Sequence, residues 1–270
     1  MYKLVAIDID GTLINDRAEM TKDVHTAIQA AIDKGVKIVL CTGRPIGGLV
    51  SFVNELNLTQ DDDYIIAFNG ALTQNNRTGD VMTANLLTYQ DLTSLYELSQ
   101  KVNTSMHFFD SDNVYTPNKQ INRYTIYEAY ANHVPLYYQT IDETPTDIRI
   151  PKVMFVGDEK QLNQSIDMIP EAFKERYTMV KSAPYFLEIF HPTVSKGHAV
   201  KQLANKLSIH KEDIVCIGDG GNDLSMITYA GCGVAMANAD PAVKEAADFH
   251  TLSNNDNGVA YALEKLILTE

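Results

Sequence analysis

The sequence predicts an α/β fold: a parallel-sheet core with a second, smaller α/β domain inserted into it. Three observations predict it. Short runs at residues 4–7, 38–41 and 214–217 are apolar throughout, as in strands buried on both faces of a parallel sheet. Helical patterns alternate with these runs, and βαβ order implies parallel strands with right-handed crossovers. From about Met82 to Leu187 the alternation gives way to a segment richer in polar and aromatic residues, after which it resumes.

The elements follow in order. After the first strand, Val24, Ile28 and Ala31 share one helical face; Thr21 suits the N-cap and Gly35 the stop. Residues 46–56 read as a second helix and 64–68 as another buried strand. Residues 75–79, Asn-Asn-Arg-Thr-Gly, read as a hairpin-like turn. In the inserted segment, residues 89–103 and 162–176 read as helices and 105–109, 152–156 and 186–189 as strands. The expectation is an antiparallel sheet backed by helices, with hinges near 83–85 and 190–192. Residues 233–236 read as a strand, and Pro241 opens a helix.

Four motifs carry chemistry. The first is Asp8-Ile9-Asp10-Gly11-Thr12-Leu13, in which two carboxylates emerge together at a strand's carboxyl end. Open α/β sheets place their ligand crevice there. Like charges so close need a cation or a protein ammonium to stay ionised. The second, Thr42-Gly43-Arg44-Pro45, offers a hydroxyl and a freely approachable N–H at a helix start. The third is Lys196, a lysine at a helix start, where the dipole prefers anions. The fourth, residues 218–223, is Gly-Asp-Gly-Gly-Asn-Asp. There Asp219 could complete an oxygen shell around Mg2+, with Asp223 holding it from behind. Singly, each has an ordinary counterpart: an acidic turn, a strand-to-helix turn, a surface lysine, a helix cap.

Together, in this order, the motifs resemble the haloacid dehalogenase (HAD) superfamily. The wide gap between Thr42 and Lys196 resembles its Cof-type subclass. Asn69-Gly70-Ala71, residues 182–189 and residues 233–239 extend the likeness, over essentially the full chain, to YidA-like sugar-phosphate phosphatases. Two departures, Cys41 before Thr42 and His191-Pro192 before Val194, touch no motif position. The resemblance implies a Rossmann-like HAD core over 1–81 and 188–270. Residues 82–187 would be an inserted α/β cap of type C2 that sets substrate specificity.

The resemblance also implies a mechanism. Asp8 attacks phosphorus and forms an aspartyl-phosphate; Asp10 protonates the leaving alcohol and then activates water. Mg2+ would sit on Asp8, the Asp10 backbone carbonyl and Asp219, with Asp223 behind. The N–H groups of Ile9 and Gly43 and the side chains of Thr42, Lys196 and Asn222 would bind phosphate. Arg44, Asn69, Tyr185 and Glu188 are the substrate-contact candidates. The expected function is Mg2+-dependent hydrolysis of small phosphorylated metabolites, sugar phosphates first among them. A sugar phosphomutase and a non-catalytic binding protein are the alternatives.

Composition is consistent with this. A chain of 270 residues suits two domains at ~150 residues each. The net charge of -13 argues against nucleic acid and anionic membranes as partners, which need Lys/Arg clusters. The expected partner is a small phosphorylated metabolite, with the chain a monomer or homodimer. Cys41, Cys216 and Cys232 are widely spaced and odd in number, as in a reduced, cytoplasmic protein. The chain enters a strand at once with no apolar signal region, and no apolar run reaches the ~18 residues of a membrane span.

Overall fold

The computed structural model describes residues 2–269. Its strands, in chain order, are β1 (Leu4–Ile7), β2 (Lys37–Cys41), β3 (Tyr64–Ala67), β4 (Leu72–Asn75) and β5 (Val81–Ala84). Then come β6 (Ser105–Phe109), β7 (Val114–Thr116), β8 (Leu136–Tyr138), β9 (Val153–Val156), β10 (Thr178–Ala183) and β11 (Phe186–Phe190). The last are β12 (Ile214–Gly218), β13 (Cys232–Ala235) and β14 (Phe249–His250).

The chain forms two compact units. The first comprises the residues up to Gly43, Ser51–Thr83 and those from Ser195 onward. Its sheet runs β14-β13-β12-β1-β2-β3-β4-β5. From β14 to β3 every pairing is parallel; β4 returns antiparallel to β3 through residues 68–71, and the turn expected at 75–79 joins β4 to β5. Strand β1 is buried at every position because it lies mid-sheet. The chain leaves β1 toward β2 on one side and later returns to β12 on the other. That makes β1 the point where strand order reverses, and the carboxyl ends of β1, β2 and β12 lie side by side. The helix Lys22–Asp33 starts at Thr21, whose hydroxyl accepts from the Val24 N–H.

The second unit comprises Arg44–Val50 and Ala84–Val194. Its sheet runs β10-β11-β9-β6-β7-β8, antiparallel except for the parallel β7–β8 pair. Leu92, Leu95 and Leu98 of helix Tyr89–Lys101 pack with Leu162 on the face bearing Met106, Phe108, Phe155 and Leu187. Residues of opposite parity line the other face. There His107 is buried against Thr125 of helix Arg123–Ala131, and burial with nearby Lys152 drives its pKa down to about 3, so it stays neutral.

Three expectations change. The single helix over 162–176 is two, Glu159–Asp167 and Glu171–Arg176, because Pro170 separates them. Residues 46–56 open as a 3-10 turn, Ile46–Leu49, before the short helix Val50–Glu55. The units divide at 83/84 and 194/195 rather than at 81/82 and 187/188, which keeps β11 whole in the second unit.

Candidate active site

Three strands deliver three polar groups to one sheet edge. Asp8 follows β1, and its N–H donates to the Ile217 carbonyl of β12. Thr42 follows β2, with its N–H on the Ile66 carbonyl. Asp219 follows β12.

Lys196 joins them. It is the first residue of helix Lys196–Lys206, which Ser195 caps by accepting from the His198 N–H. The lysine is fully buried, and its Nζ lies 2.6 Å from Asp8 Oδ1 and 2.6 Å from Asp223 Oδ1. Burial alone would discharge it, but Asp223 and Asp8 outweigh burial and hold its pKa above the ordinary 10.5. Asp8 fares worse. Burial and then Asp223 push its pKa well up, and a lysine shared between two carboxylates only partly offsets this.

Asp223 organises the loop after β12. Its Oδ2 accepts from the N–H groups of Asp219 and Gly220, both at 2.9 Å. Asp219 receives the Thr12 hydroxyl at 2.8 Å. Gly11 must be glycine: its φ is +81°, and a Cβ there would lie 2.4 Å from Asp219 Oδ2. Asn238 donates to the Gly11 carbonyl at 2.8 Å.

A second line of contacts runs through Asn69. Phe68, Asn69 and Gly70 all adopt positive φ, at 50°, 57° and 97°. For Phe68 this is sterically costly, on the order of 1–3 kcal/mol, and such strain persists where the surroundings over-determine it. The Asn69 N–H donates to the Thr42 carbonyl, and its Oδ1 accepts from Asn222 Nδ2 at 2.9 Å. The Asn69 amide also packs on Gly43. Gly70 lies so close to the helix start that a Cβ would meet the Ser195 carbonyl at 2.5 Å.

The structure thus brings Asp8, Thr42, Gly43, Asn69, Lys196, Asp219, Asn222 and Asp223 into one unit. Ile9 and Asp10 follow Asp8 in that unit, Ile9 buried and Asp10 exposed. Arg44, Tyr185 and Glu188 belong to the second unit. Tyr185 stacks on Tyr124, with ring centroids 4.5 Å apart. Glu188 is buried, and the period of β11 turns it toward Lys152 and Ser182. Sequence reasoning did not single out Thr12 or Asn238 as site residues. Thr12 stands inside the first motif and Asn238 inside the stretch 233–239, so both signals were present.

The donor set fits a hard divalent cation. Carboxylate oxygens of Asp8, Asp219 and Asp223 lie within 4.8 Å of one another, and oxygen donors suit Mg2+. Asp223 commits its oxygens to Lys196 and the two N–H groups, so Asp8 and Asp219 are the carboxylates that would face the ion. Three carboxylates around one ammonium leave negative charge for a cation to balance.

Burial, then Asp223, raises the Asp219 pKa from the ordinary 3.8 to about 6, although the Thr12 hydroxyl opposes this. The folded state therefore binds the proton more tightly than the unfolded chain does. In metal-free protein Asp219 costs stability as pH rises from ~4 through ~6. Asp219→Asn should raise the metal-free Tm at pH 8 by ~2–5 °C, roughly 1–2 kcal/mol after allowance for partial exposure, and leave it unchanged at pH 4. Thermal melts with a chelator check this; an Asn variant that melts lower at pH 8 would refute it.

Adjacent strand ends, a buried lysine and clustered aspartates at a sheet switch point define an α/β enzyme handling an anionic substrate. Residues 5–263 match the model of the haloacid dehalogenase-like hydrolases, and the chain belongs to that family. It is 57% identical to YxeH of Bacillus subtilis (strain 168) over 270 residues, covering 100% of both. It is 31% identical to the 5-amino-6-(5-phospho-D-ribitylamino)uracil phosphatase YcsE of the same organism over 267 residues, covering 98% of this chain and 96% of YcsE. The structure is similar to that of a haloacid dehalogenase-like hydrolase from Bacteroides thetaiotaomicron, with TM-score 0.89 at 31% identity, covering 99% of this chain and 100% of the other. No helix among the described residues is long and apolar enough to cross a membrane.

Proposed function

We propose that this HAD-family phosphatase hydrolyses small phosphomonoesters, sugar and polyol phosphates among them, through an aspartyl-phosphate on Asp8, with Mg2+ as its resident cation. The observation that carries the reading is the fully buried Lys196 held 2.6 Å from Asp8. An ammonium there opposes the burial that disfavours the Asp8 carboxylate and orients one of its oxygens, leaving the other to attack. YcsE, named for a substrate with its phosphate on a ribityl chain, supports a polyol phosphate as the substrate class.

In the first step an Asp8 oxygen forms a bond to phosphorus as the ester P–O bond breaks. Asp10, exposed beside it, gives its proton to the departing alkoxide. In the second step Asp10 takes a proton from water, whose oxygen bonds to phosphorus while the Asp8 acyl-phosphate bond breaks; inorganic phosphate leaves. Thr42, Asn222 and the N–H groups of Ile9 and Gly43 hold the phosphoryl oxygens, and Lys196 adds positive charge. Such preorganised donors are the main catalytic contribution in phosphoryl transfer. Asp8, the Asp10 carbonyl and Asp219 would hold Mg2+, which supplies Lewis-acid charge when bound. The second unit is assigned to substrate selection, and the site of action to the cytoplasm.

A panel of sugar, polyol, nucleotide and cofactor phosphates, assayed with Mg2+ and with EDTA, tests the reading. Phosphate release with Mg2+ and its loss in EDTA are expected. No release from any ester, or full activity in EDTA, would overturn it.

Asp219→Ala and Lys196→Ala should separate metal from phosphate contacts. Asp219→Ala should raise the Mg2+ concentration for half-activity by ~10-fold or more, the scale at which metal-site residues act. Lys196→Ala should not raise it, because removing an ammonium leaves Asp8 and Asp223 more attractive to a cation. It should instead destabilise the metal-free fold by ~3–5 kcal/mol, the cost of stranding buried charges. Mg2+ titrations of activity and chelator melts of both variants decide; a larger Mg2+ requirement in Lys196→Ala would mean their roles are exchanged.

A further inference from the structure

Asn69 touches three of the residues assigned to the phosphoryl oxygens, yet it stands in none of the four motifs. It is buried in the turn after β3, within the first unit. Its N–H donates to the Thr42 carbonyl at 2.9 Å. Its amide lies over Gly43, where a Cβ would meet Oδ1 and Nδ2 alike at 3.2 Å. Its Oδ1 accepts from Asn222 Nδ2 at 2.9 Å.

The contact with Asn222 carries the most consequence. A primary amide has a donating nitrogen and an accepting oxygen of nearly the same shape, and only the nitrogen attracts an anion. Its partners therefore decide what Asn222 offers. Asn69 Oδ1 takes one N–H of the nitrogen edge. The Asn222 oxygen faces Gly220, where a Cβ would lie 2.8 Å from it. Turning the Asn222 amide over would set its oxygen against the Asn69 oxygen. Asn69 itself is held firmly. Asparagine tolerates its left-handed backbone, and Gly70 beside it lies too close to the Ser195 carbonyl for the turn to shift that way.

We infer that Asn69 is a positioning residue: it holds the nitrogen edge of Asn222 toward the phosphoryl oxygens rather than meeting the substrate itself. The inference rests on the phosphatase reading and deepens it. One N–H of Asn222 is spent on Asn69 and the other is aimed at the anion. A donor fixed in this way costs no reorganisation as charge develops on the phosphoryl oxygens.

A double-variant cycle tests it. The unmodified protein, Asn69→Gly, Asn222→Ala and the double variant are compared by kcat/KM for p-nitrophenyl phosphate with Mg2+. The leaving group of this ester bears no hydroxyl, so losses are read at the phosphoryl group. Glycine keeps the left-handed backbone and the N–H to Thr42, and removes only the amide. Asn222→Ala should lower kcat/KM ~100-fold, as loss of one preorganised donor does. Asn69→Gly should lower it ~10-fold or more, the scale for partners that orient a functional group. With Asn222 already alanine, Asn69→Gly should cost less than about twofold, because residues acting through one contact are not additive. Should Asn69→Gly fail to fold, Asn69→Ser takes its place in the cycle, since serine suits turns and is too short to reach Asn222. A substrate contact or a purely structural role would give the same loss in both backgrounds, and that result would overturn the inference. Asn69→Gly within twofold of the unmodified protein would also overturn it. An unmodified protein that releases no phosphate from any ester would overturn the phosphatase reading and the inference with it, whereas turnover with additive losses would overturn the inference alone.

Discussion

Asp8→Asn should lower the turnover of every phosphomonoester by several powers of ten, approaching the ~10⁶ seen when a covalent nucleophile is removed elsewhere. The amide is nearly isosteric with the carboxylate but is a poor nucleophile. Its Oδ1 can still accept from Lys196, which keeps Asp223 as a charged partner at 2.6 Å. The fold should therefore survive. Burial and Asp223 raise the Asp8 pKa, so the charged form is unfavourable in the metal-free fold and its contribution worsens as pH rises. The metal-free variant should accordingly melt no lower than the parent at pH 8. Steady-state rates paired with melts check both halves. Activity within tenfold of the parent would remove Asp8 from the chemistry.

Asp10→Ala should cost ~10²–10⁴-fold, the usual worth of a general acid–base. The loss should depend on the leaving group. p-Nitrophenolate departs with little need of a proton, whereas a sugar alkoxide needs one in the transition state. Burst kinetics isolate the first step. There the variant's deficit should be at least tenfold smaller for p-nitrophenyl phosphate than for glucose 6-phosphate. Equal deficits for the two esters would make Asp10 a structural residue of the turn it shares with Ile14.

Much of this site is legible in the sequence, and for a physical reason. A strand buried on both faces must be apolar throughout, so the polar residue that ends it marks a sheet edge. Leu4–Ile7 before Asp8 and Ile214–Gly218 before Asp219 both obey this. The Thr21 cap is a local interaction, as short sequence patterns require.

What the sequence hides depends on long-range packing. The left-handed pair Phe68-Asn69 runs against the preference of a bulky residue; contacts from Thr42, Asn222 and Ser195 hold it, and those lie far away in sequence. The pairing of Lys152 with Glu128 and Glu188 is equally non-local. Helix Arg123–Ala131 lacks a clean apolar stripe, since Ile126, Tyr127 and Tyr130 are exposed while Thr125 and Glu128 are buried.

The central claim is that two displacements at phosphorus occur in sequence, the first by Asp8 and the second by water. The stereochemical course tests it most directly. A phosphomonoester made chiral at phosphorus with oxygen isotopes is hydrolysed in isotopically labelled water, and the configuration of the released phosphate is determined. Each in-line displacement inverts phosphorus, so an aspartyl-phosphate route predicts net retention. Net inversion would mean that water attacks the substrate directly, and that Asp8 is not the nucleophile.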